Sequence, residues 1–301
     1  MGLMTRRESL KLAAAAGIAA WIPIPLLGAE LQSLPGAGAT GDGKEAEADM
    51  KLGLVTYNIA GKWDLPTLIE KCVSVGIEGV ELRTTHAHGV EPSLGKSQRR
   101  EVRKRFEDSG IVLWGLGSVC EFHQTDPAVV KKNVEDCRAF TLLAVDVGAK
   151  GVKVRPNGFP EGVSREKTLE QIGLALRECG RFAADHGIEI WLEVHGKDTC
   201  HPPHIRAILD HCDHRSVGAC WNSNAADIKD GSVSEYFELL RPDIKSCHIN
   251  QIWTPSYPWR ELFRLLKASK YDRFTLAEIP ESADPDAVLR YYRALWAELT
   301  R

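Results

Sequence analysis

Four polar residues in the C-terminal half of the chain have the types and the spacing to bind a metal ion. Glu193, Asn222, His248 and Glu278 each stand at or near the end of a short apolar run. Such runs are typical of buried parallel strands. In a closed α/β barrel the carboxyl ends of all strands open onto one rim. Two carboxylates, an imidazole and an amide that meet there would suit one divalent cation.

Further polar residues follow the earlier strands at the same predicted rim. Two histidines stand on the loop after the second strand, an acid follows the third, two bases end the fourth, and an imidazole follows the fifth. The predicted substrate contacts are His86, His88, Glu121, Lys153, Arg155 and His195. For each of them, the alternative is a solvated polar group at the rim that contacts no ligand.

The elements that would position these residues alternate regularly from Lys51 onward. Strand-like runs are separated by amphipathic stretches of helical period, which implies parallel strands and right-handed crossovers. Eight such units in about 250 residues predict a single-domain α/β fold, the (β/α)8 TIM barrel. An open doubly wound sheet is the alternative, but no GxGxxG motif follows the first strand. The runs begin at Leu52, Glu78, Ile111, Ala149, Ile188, Val217, Lys245 and Phe274.

Several amphipathic stretches end in a glycine just before the next strand. A glycine at this place ends a helix in the left-handed conformation and begins a tight loop. The helix ends predicted in this way are Gly76, Gly110, Gly148 and Gly187.

Composition and charge exclude several classes of protein. With 44% hydrophobic and 26% charged residues, the chain of 301 residues has the composition of an ordinary globular enzyme. A net charge of -3 gives no electrostatic basis for a nucleic acid or an acidic membrane as partner. The eight cysteines include no CxxC pair, which excludes a zinc knuckle and a thioredoxin motif. We expect buried free thiols, with one or two disulfides as the alternative.

The first fifty residues differ in composition from the rest. Arg6 and Arg7 precede an apolar stretch rich in Ala and Gly, as in a signal peptide, and the segment around them resembles the twin-arginine export signal of bacteria. We predict an export signal over residues 1–30, a flexible linker over 31–50 and the barrel over 51–301. The expected location is the periplasm, with no stable membrane span after signal cleavage. An uncleaved N-terminal anchor is the alternative.

The strand endings together resemble the xylose isomerase-like TIM-barrel superfamily, the sugar phosphate isomerase/epimerase group. The resemblance extends from Lys51 to the C-terminus and rests on ELR at the second strand and on LEVH, CWNSN, CHINQ and LAEIP at the later strands. It implies that one divalent ion, Mn²⁺, Co²⁺, Mg²⁺ or Zn²⁺, is bound by Glu193, Asn222, His248 and Glu278. It also implies that Glu193 and Glu278 act as paired acid and base on opposite faces of a sugar.

The sequence departs from the family pattern at two places. Asn222 stands where an Asp is expected, and Ala225 stands where a His usually follows three residues later. An amide oxygen can ligate but is neutral, so the site has one negative charge fewer and metal affinity should fall. The expected consequence is the same chemistry on another sugar derivative.

The predicted activity is that of a metal-dependent isomerase, epimerase or lyase for a sugar or keto-sugar. A base removes a proton next to the carbonyl, and the ion stabilises the enediolate that results. Return of the proton to the neighbouring carbon gives isomerisation, return to the opposite face gives epimerisation, and loss of a β-oxygen gives a lyase. The alternatives are an endonuclease IV-like phosphodiesterase and a non-catalytic sugar-binding barrel. The expected partner is a small sugar and not a nucleic acid, and a homo-oligomer is left open.

Overall fold

The computed structural model describes residues 50–301. They form a closed barrel in which each of eight strands pairs in parallel with the next, and β8 closes the ring against β1. The predicted (β/α)8 TIM barrel is therefore confirmed. The strands are β1 Lys51–Val55, β2 Gly79–Arg83, β3 Val112–Glu121, β4 Gly151–Arg155, β5 Glu189–Glu193, β6 Val217–Asn222, β7 Ile244–Ile249 and β8 Phe274–Ala277.

One α-helix follows each strand around the outside of the barrel. The helices are α1 Leu65–Val75, α2 Lys96–Ser109, α3 Pro127–Val147, α4 Arg165–Asp185, α5 Pro202–Cys212, α6 Ser234–Leu240, α7 Trp259–Ala268 and α8 Pro285–Leu299. Four of them begin at a residue whose side chain accepts a hydrogen bond from a backbone N–H of the first turn, which stabilises the helix start. These N-cap residues are Asp64, Asp126, Ser164 and Asp284.

The predicted glycine ends of the helices are correct in three cases. Gly76, Gly110 and Gly148 follow their helices with φ angles of 73°, 74° and 83°, a conformation that glycine adopts without strain. The helix α4 is capped by His186 instead, and the left-handed residue is the next one, Gly187. The short loops that result join helices to strands at one end of the barrel, so the loops after the strands build the opposite rim.

The barrel interior is filled by aromatic side chains toward the amino ends of the strands. Trp191 of β5 and Phe274 of β8 are buried, and Trp114 stacks on Trp191 with ring centroids 5.2 Å apart. Glycines on neighbouring strands make the necessary room. A Cβ on Gly151 would lie 2.4 Å from Trp191, and one on Gly79 would lie 2.5 Å from Phe274. The interior is thus a packed core, and the polar inward residues lie between it and the rim.

The third strand is longer than the sequence predicts. The apolar run IVLWGL predicts a strand over residues 111–116, whereas β3 continues to Glu121 with an irregular register against β4. The hydroxyl of Ser118 donates to the carbonyl oxygen of Lys153 at 2.6 Å and holds the extension against β4. As a result, Glu121 stands opposite Arg155 at the rim.

The structure does not describe the N-terminal residues, but it does describe all of the cysteines. The export signal over 1–30 and the linker over 31–50 fall outside the described residues, apart from residue 50, and stay predictions. Within residues 50–301, no helix combines the length and the apolar character needed to cross a membrane. All eight cysteines lie in this range and are free thiols, seven of them buried. The disulfide alternative is therefore wrong.

Candidate active site

The four predicted metal-binding residues lie at the carboxyl ends of the last four strands. Glu193 ends β5, Asn222 ends β6, His248 is the last residue but one of β7, and Glu278 directly follows β8. His248 Nδ1 lies 3.5 Å from Glu193 Oε1 and 3.5 Å from Glu278 Oε2. One ligand atom from each of these three side chains lies within 4.8 Å of the others. A single cation between them could therefore contact all three.

Glu193, His248, Glu278 and Asn222 are called the metal cluster below, after the ion that they could hold. Asn222 joins the other three through Glu193, its neighbour on β5. Its Nδ2 donates to Glu193 Oε1 at 3.1 Å, and the strand register places it opposite His248. Its Oδ1 is buried and has no hydrogen-bond partner among residues 50–301. A buried acceptor without a donor is unfavourable, and an amide oxygen is a suitable ligand for a hard divalent cation. Asn222 Oδ1 is therefore available to a metal ion.

The loop after β6 holds the backbone of Asn222 by hydrogen bonds. Asn224 Nδ2 donates to the carbonyl oxygens of Asn222 at 2.7 Å and Val194 at 2.6 Å. The backbone N–H of Asn224 donates to the carboxyl of Asp227 at 2.8 Å, and the hydroxyl of Tyr257 donates to the same oxygen at 3.0 Å. Burial raises the pKa of Asp227 to about 8. These contacts fix the spacing of the ends of β5 and β6.

Glu81 of β2, the acid of the ELR motif, lies beside the cluster. Its Oε2 lies 3.1 Å from His248 Nε2, and both side chains are fully buried. A carboxylate on one imidazole nitrogen orients the ring and directs the other nitrogen to a metal. Gly117 provides the space, because a Cβ there would lie 2.8 Å from Glu81 Oε1. The sequence signal is an acid within a buried strand.

Lys153 is buried beside the cluster. Its Nζ lies 2.7 Å from Glu193 Oε2, and 7% and 3% of the two side chains are exposed. Burial would lower the pKa of the ammonium, but the carboxylates of Glu193 and Glu81 raise it above its ordinary value. Burial would likewise raise the pKa of Glu193, but Lys153 and His248 hold it well below the usual range. The partner of Lys153 within the described residues is thus Glu193, and its contact with substrate stays a prediction.

The chemistry of the donor set fits a divalent cation. His248 Nδ1 and Asn222 Oδ1 are buried atoms that no donor or acceptor in the described part of the chain satisfies. The carboxylate oxygens of Glu193 and Glu278 complete a set of oxygen and nitrogen ligands, which Zn²⁺, Mn²⁺, Co²⁺ or Mg²⁺ accepts.

The protonation of His248 is coupled to the arrival of an ion. Burial would lower the pKa of the ring, but Cys220, Glu81 and Glu193 around it hold the pKa well above its ordinary value. The surroundings of the ring therefore favour its protonated form in the metal-free protein. A metal ion binds only the neutral ring and must displace this proton.

Three other predicted substrate contacts lie at the rim on the side of β3 to β5. Glu121 and Arg155 form an ion pair there, and His195 stands two residues beyond Glu193. Arg155 Nε and His195 Nδ1 are buried without a hydrogen-bond partner among the residues that the structure describes. A cavity of 350 Å³ opens between the loops after β3, β4 and β5, which is within the size range of small-molecule sites.

The two histidines on the loop after β2 have different surroundings. His86 Nδ1 lies 2.9 Å from the hydroxyl of Thr56, and burial, with the charge of Arg83, lowers the pKa of the ring to about 4. His88 Nε2 lies 2.8 Å from the carbonyl oxygen of Arg83, and its Nδ1 accepts from the N–H of Val90 at 3.0 Å. Both nitrogens of His88 are thus engaged by the loop backbone, so His88 supports the loop, and its contact with substrate stays a prediction. His86 stays a predicted substrate contact.

Solved structures of several sugar epimerases contain the same barrel. D-psicose 3-epimerase from Clostridium cellulolyticum H10, solved with D-tagatose, aligns with a TM-score of 0.73 at 14% identity, over 84% of this chain and 100% of that one. The 3-keto-D-glucoside 4-epimerase from E. coli aligns at 0.71 and 15% identity, over 83% and 100%. The IOLI protein with a zinc atom aligns at 0.70 and 15% identity, over 83% and 98%. At these identities the likeness shows a shared fold.

The sequence comparison gives the family. A search of curated protein sequences found no match. The family profile described as Xylose isomerase-like TIM barrel matches residues 69–296. This range contains the metal cluster and Glu81, and it spans seven of the eight strands described above. The chain therefore belongs to the xylose isomerase-like TIM barrel family.

Proposed function

We propose that this protein is a divalent-metal-dependent isomerase or epimerase of a sugar or keto-sugar. The observation that carries the proposal is the convergence of Glu193, His248 and Glu278, whose ligand atoms lie within 4.8 Å of one another. Asn222 would be the fourth ligand through its unpaired Oδ1. The epimerases that share the barrel act on ketoses and on a keto-glucoside according to their names, which supports a sugar as the substrate class.

The reaction requires removal of a carbon-bound proton next to a carbonyl. The bound ion would supply positive charge against the oxygens of the enediolate. The base must have an oxygen within reach of the substrate. Glu278 meets this requirement: its side chain is 19% exposed, and within residues 50–301 its one ion-pair contact is His248.

Glu193, the other predicted acid/base residue, has a different environment. Its Oε2 accepts from Lys153 and its Oε1 accepts from Asn222. We therefore assign Glu193 first to ligation and Glu278 first to proton transfer. Transfer of a proton by a well-placed base contributes about 10²–10⁴-fold to a rate.

The rim above the cluster offers unpaired polar groups to a hydroxylated ligand. Arg155 Nε, His195 Nδ1 and His123 Nδ1 are buried, and no hydrogen bond within the described range satisfies them. Buried polar atoms in native proteins are nearly always paired, so a ligand with several hydroxyl groups is the partner that these atoms fit. His86 is neutral at physiological pH because its pKa is lowered to about 4, so it could donate or accept one hydrogen bond.

The test measures the first step, which isomerisation, epimerisation and β-elimination share. The full-length protein is incubated in D₂O with a panel of sugars and 3-keto-sugars and with Mn²⁺, Co²⁺, Mg²⁺ or Zn²⁺. NMR then follows the exchange of carbon-bound hydrogen. We expect exchange that EDTA abolishes and one of these ions restores. As a matched control, Glu281→Gln should keep the wild-type rate, because Glu281 is an exposed carboxylate paired with Lys62. No exchange with any sugar and ion would contradict the proposal.

Metal content separates this function from the two alternatives. An endonuclease IV-like enzyme should contain three zinc ions per chain, and a non-catalytic sugar-binding barrel should bind sugar without an ion. In residues 50–301, one group of three ligating side chains has the required spacing, which favours a single ion. Three ions per chain, or sugar binding that EDTA leaves unchanged, would support an alternative.

A further inference from the structure

We propose that Lys153 is a built-in counter-cation of the metal cluster that holds Glu193 in its ligand position with or without an ion. This inference rests on the proposed metal site. Lys153 Nζ lies 2.7 Å from Glu193 Oε2, and 7% and 3% of the two side chains are exposed. Because this ammonium is shielded from solvent, water does not screen its charge, and the charge acts on the cluster whether or not an ion is bound.

The position of Lys153 is fixed by the strands on both sides of β4. Its carbonyl oxygen accepts from the hydroxyl of Ser118 at 2.6 Å, and its Cα is paired in register with Trp191 of β5. Trp191 is fully buried in the barrel core. The backbone of Lys153 is therefore held rigidly, and a side chain on a rigid strand positions its partner more tightly than one on a loop.

The two oxygens of Glu193 have separate partners. Lys153 holds Oε2, whereas Oε1 accepts from Asn222 Nδ2 at 3.1 Å and faces His248 Nδ1 at 3.5 Å. The ammonium thus keeps one oxygen of the carboxylate directed into the metal cluster. With an apolar side chain at 153, Oε2 would lose its donor, and with any neutral side chain it would lose its cationic partner, so both oxygens of Glu193 could turn toward an ion.

The charges of the buried cluster explain why a cation is needed there. Glu81, Glu193 and Glu278 contribute three negative charges and Lys153 one positive charge, which leaves -2 when His248 is a neutral ligand. One divalent ion brings this sum to zero. Without Lys153 the sum would be one unit more negative whether His248 is neutral or protonated, and uncompensated charge is strongly unfavourable in a buried site. Lys153 should therefore stabilise the metal-free protein and weaken the binding of the ion.

The experiment compares Lys153→Met and Lys153→Gln with the wild type in the full-length protein. Lys150→Met is the matched control, since Lys150 is exposed just before β4. Thermal unfolding is measured in EDTA and in saturating Mn²⁺, and the Mn²⁺ affinity is measured by calorimetry. In both variants we expect a larger Mn²⁺-induced rise in Tm than in the wild type. We also expect Mn²⁺ binding at least about tenfold tighter, because a positive charge close to the ion has been removed.

A packing role for Lys153 would give a different result. It would lower the Tm equally in EDTA and in Mn²⁺, and that outcome, or weaker Mn²⁺ binding in both variants, would overturn the proposal. If Lys153→Met is unfolded in EDTA, its folding on addition of Mn²⁺ supports the proposal. If Lys153→Met also fails to fold in Mn²⁺, and Lys153→Gln has the same Mn²⁺-induced rise in Tm and the same Mn²⁺ affinity as the wild type, the proposal is overturned.

The measurements also separate this proposal from the proposed function. Thermal unfolding and Mn²⁺ calorimetry need no substrate. If the wild type shows no proton exchange, that result counts against the proposed enzyme activity only. The Tm values and Mn²⁺ affinities of the Lys153 variants still decide the role of Lys153. A wild type that binds neither Mn²⁺, Co²⁺, Mg²⁺ nor Zn²⁺ overturns both.

Discussion

The substitution Asn222→Asp tests how the missing charge of the cluster affects both stability and metal binding. Asn222 Nδ2 donates to Glu193 Oε1 at 3.1 Å. An aspartate would place a second carboxylate at this distance in a buried site. In the metal-free protein, the hydrogen bond to Glu193 would be lost and the two carboxylates would repel each other. An ion bound between them would attract both carboxylates.

The magnitude follows from the distance. Two like unit charges 3.1 Å apart repel with about 5 kcal/mol at an effective dielectric constant of about 20. Uptake of a proton by the pair reduces this cost, so we expect the free energy of unfolding in EDTA to fall by about 3 kcal/mol. For a domain of this size, that corresponds to a fall in Tm of roughly 6–12 °C. We expect Mn²⁺ affinity to rise at least about tenfold, which is 1.4 kcal/mol.

The assay is thermal unfolding of the full-length protein in EDTA and in saturating Mn²⁺, with calorimetry of Mn²⁺ binding. Asn222→Leu is the control, because it removes the hydrogen bond and the ligand oxygen without adding a charge. We expect the aspartate variant to have the lower Tm in EDTA and the higher affinity for Mn²⁺. An aspartate variant at least as stable as the leucine variant in EDTA, or one that binds Mn²⁺ no more tightly than the wild type, would show that charge repulsion in the cluster does not have this effect.

Three further predictions concern protons and export. Because the pKa of His248 is raised well above its ordinary value, binding of an ion should release protons. Calorimetry in buffers of different ionisation enthalpy measures this release, and no proton release at pH 7 would contradict the prediction. The pKa of Asp227 is raised from 3.8 to about 8, so its contribution to stability is present below pH 4 and is lost as the pH rises toward 8. In the wild type this lowers the free energy of unfolding by about 1.4 kcal/mol per pH unit over that range. Asp227→Asn should flatten this dependence in urea unfolding measured at several pH values. If the variant shows the same pH dependence as the wild type, Asp227 is not its source. Replacement of Arg6 and Arg7 by Lys should leave the protein in the cytoplasm, and normal export of that variant would rule out the twin-arginine route.

The convergence of the four predicted metal-binding residues could be inferred from the sequence, because it depends only on each residue's position at the end of a buried parallel strand. A polar residue that ends a buried parallel strand lies at the rim of the barrel, whichever strand carries it. The register bears this out, since Asn222 lies opposite His248 in adjacent strands. The strand order follows equally directly from the alternation of strands and helices.

The partners of Lys153 and Glu81 could not be inferred in the same way. Alternation shows that both side chains point inward, but the stagger of the strands sets the height at which each lies. Lys153 is in register with Trp191, two residues before Glu193, so it lies below the rim. Glu81 meets His248 across the barrel, a contact between β2 and β7 that no local pattern encodes. The backbone partners of His88 could not be inferred either, because the hydrogen bonds of its loop depend on backbone geometry.

The proposed function requires that this cluster moves a carbon-bound proton with the help of a metal ion. The most direct measurement is the rate of substrate exchange with D₂O for the wild type, Glu193→Gln and Glu278→Gln, each with saturating metal and with its metal content determined. Glutamine keeps an oxygen ligand but removes charge and basicity. We predict one ion per chain in the wild type and a fall in exchange of at least about 10²-fold in each variant. Wild-type exchange rates in both variants would contradict the claim, whatever metal is bound.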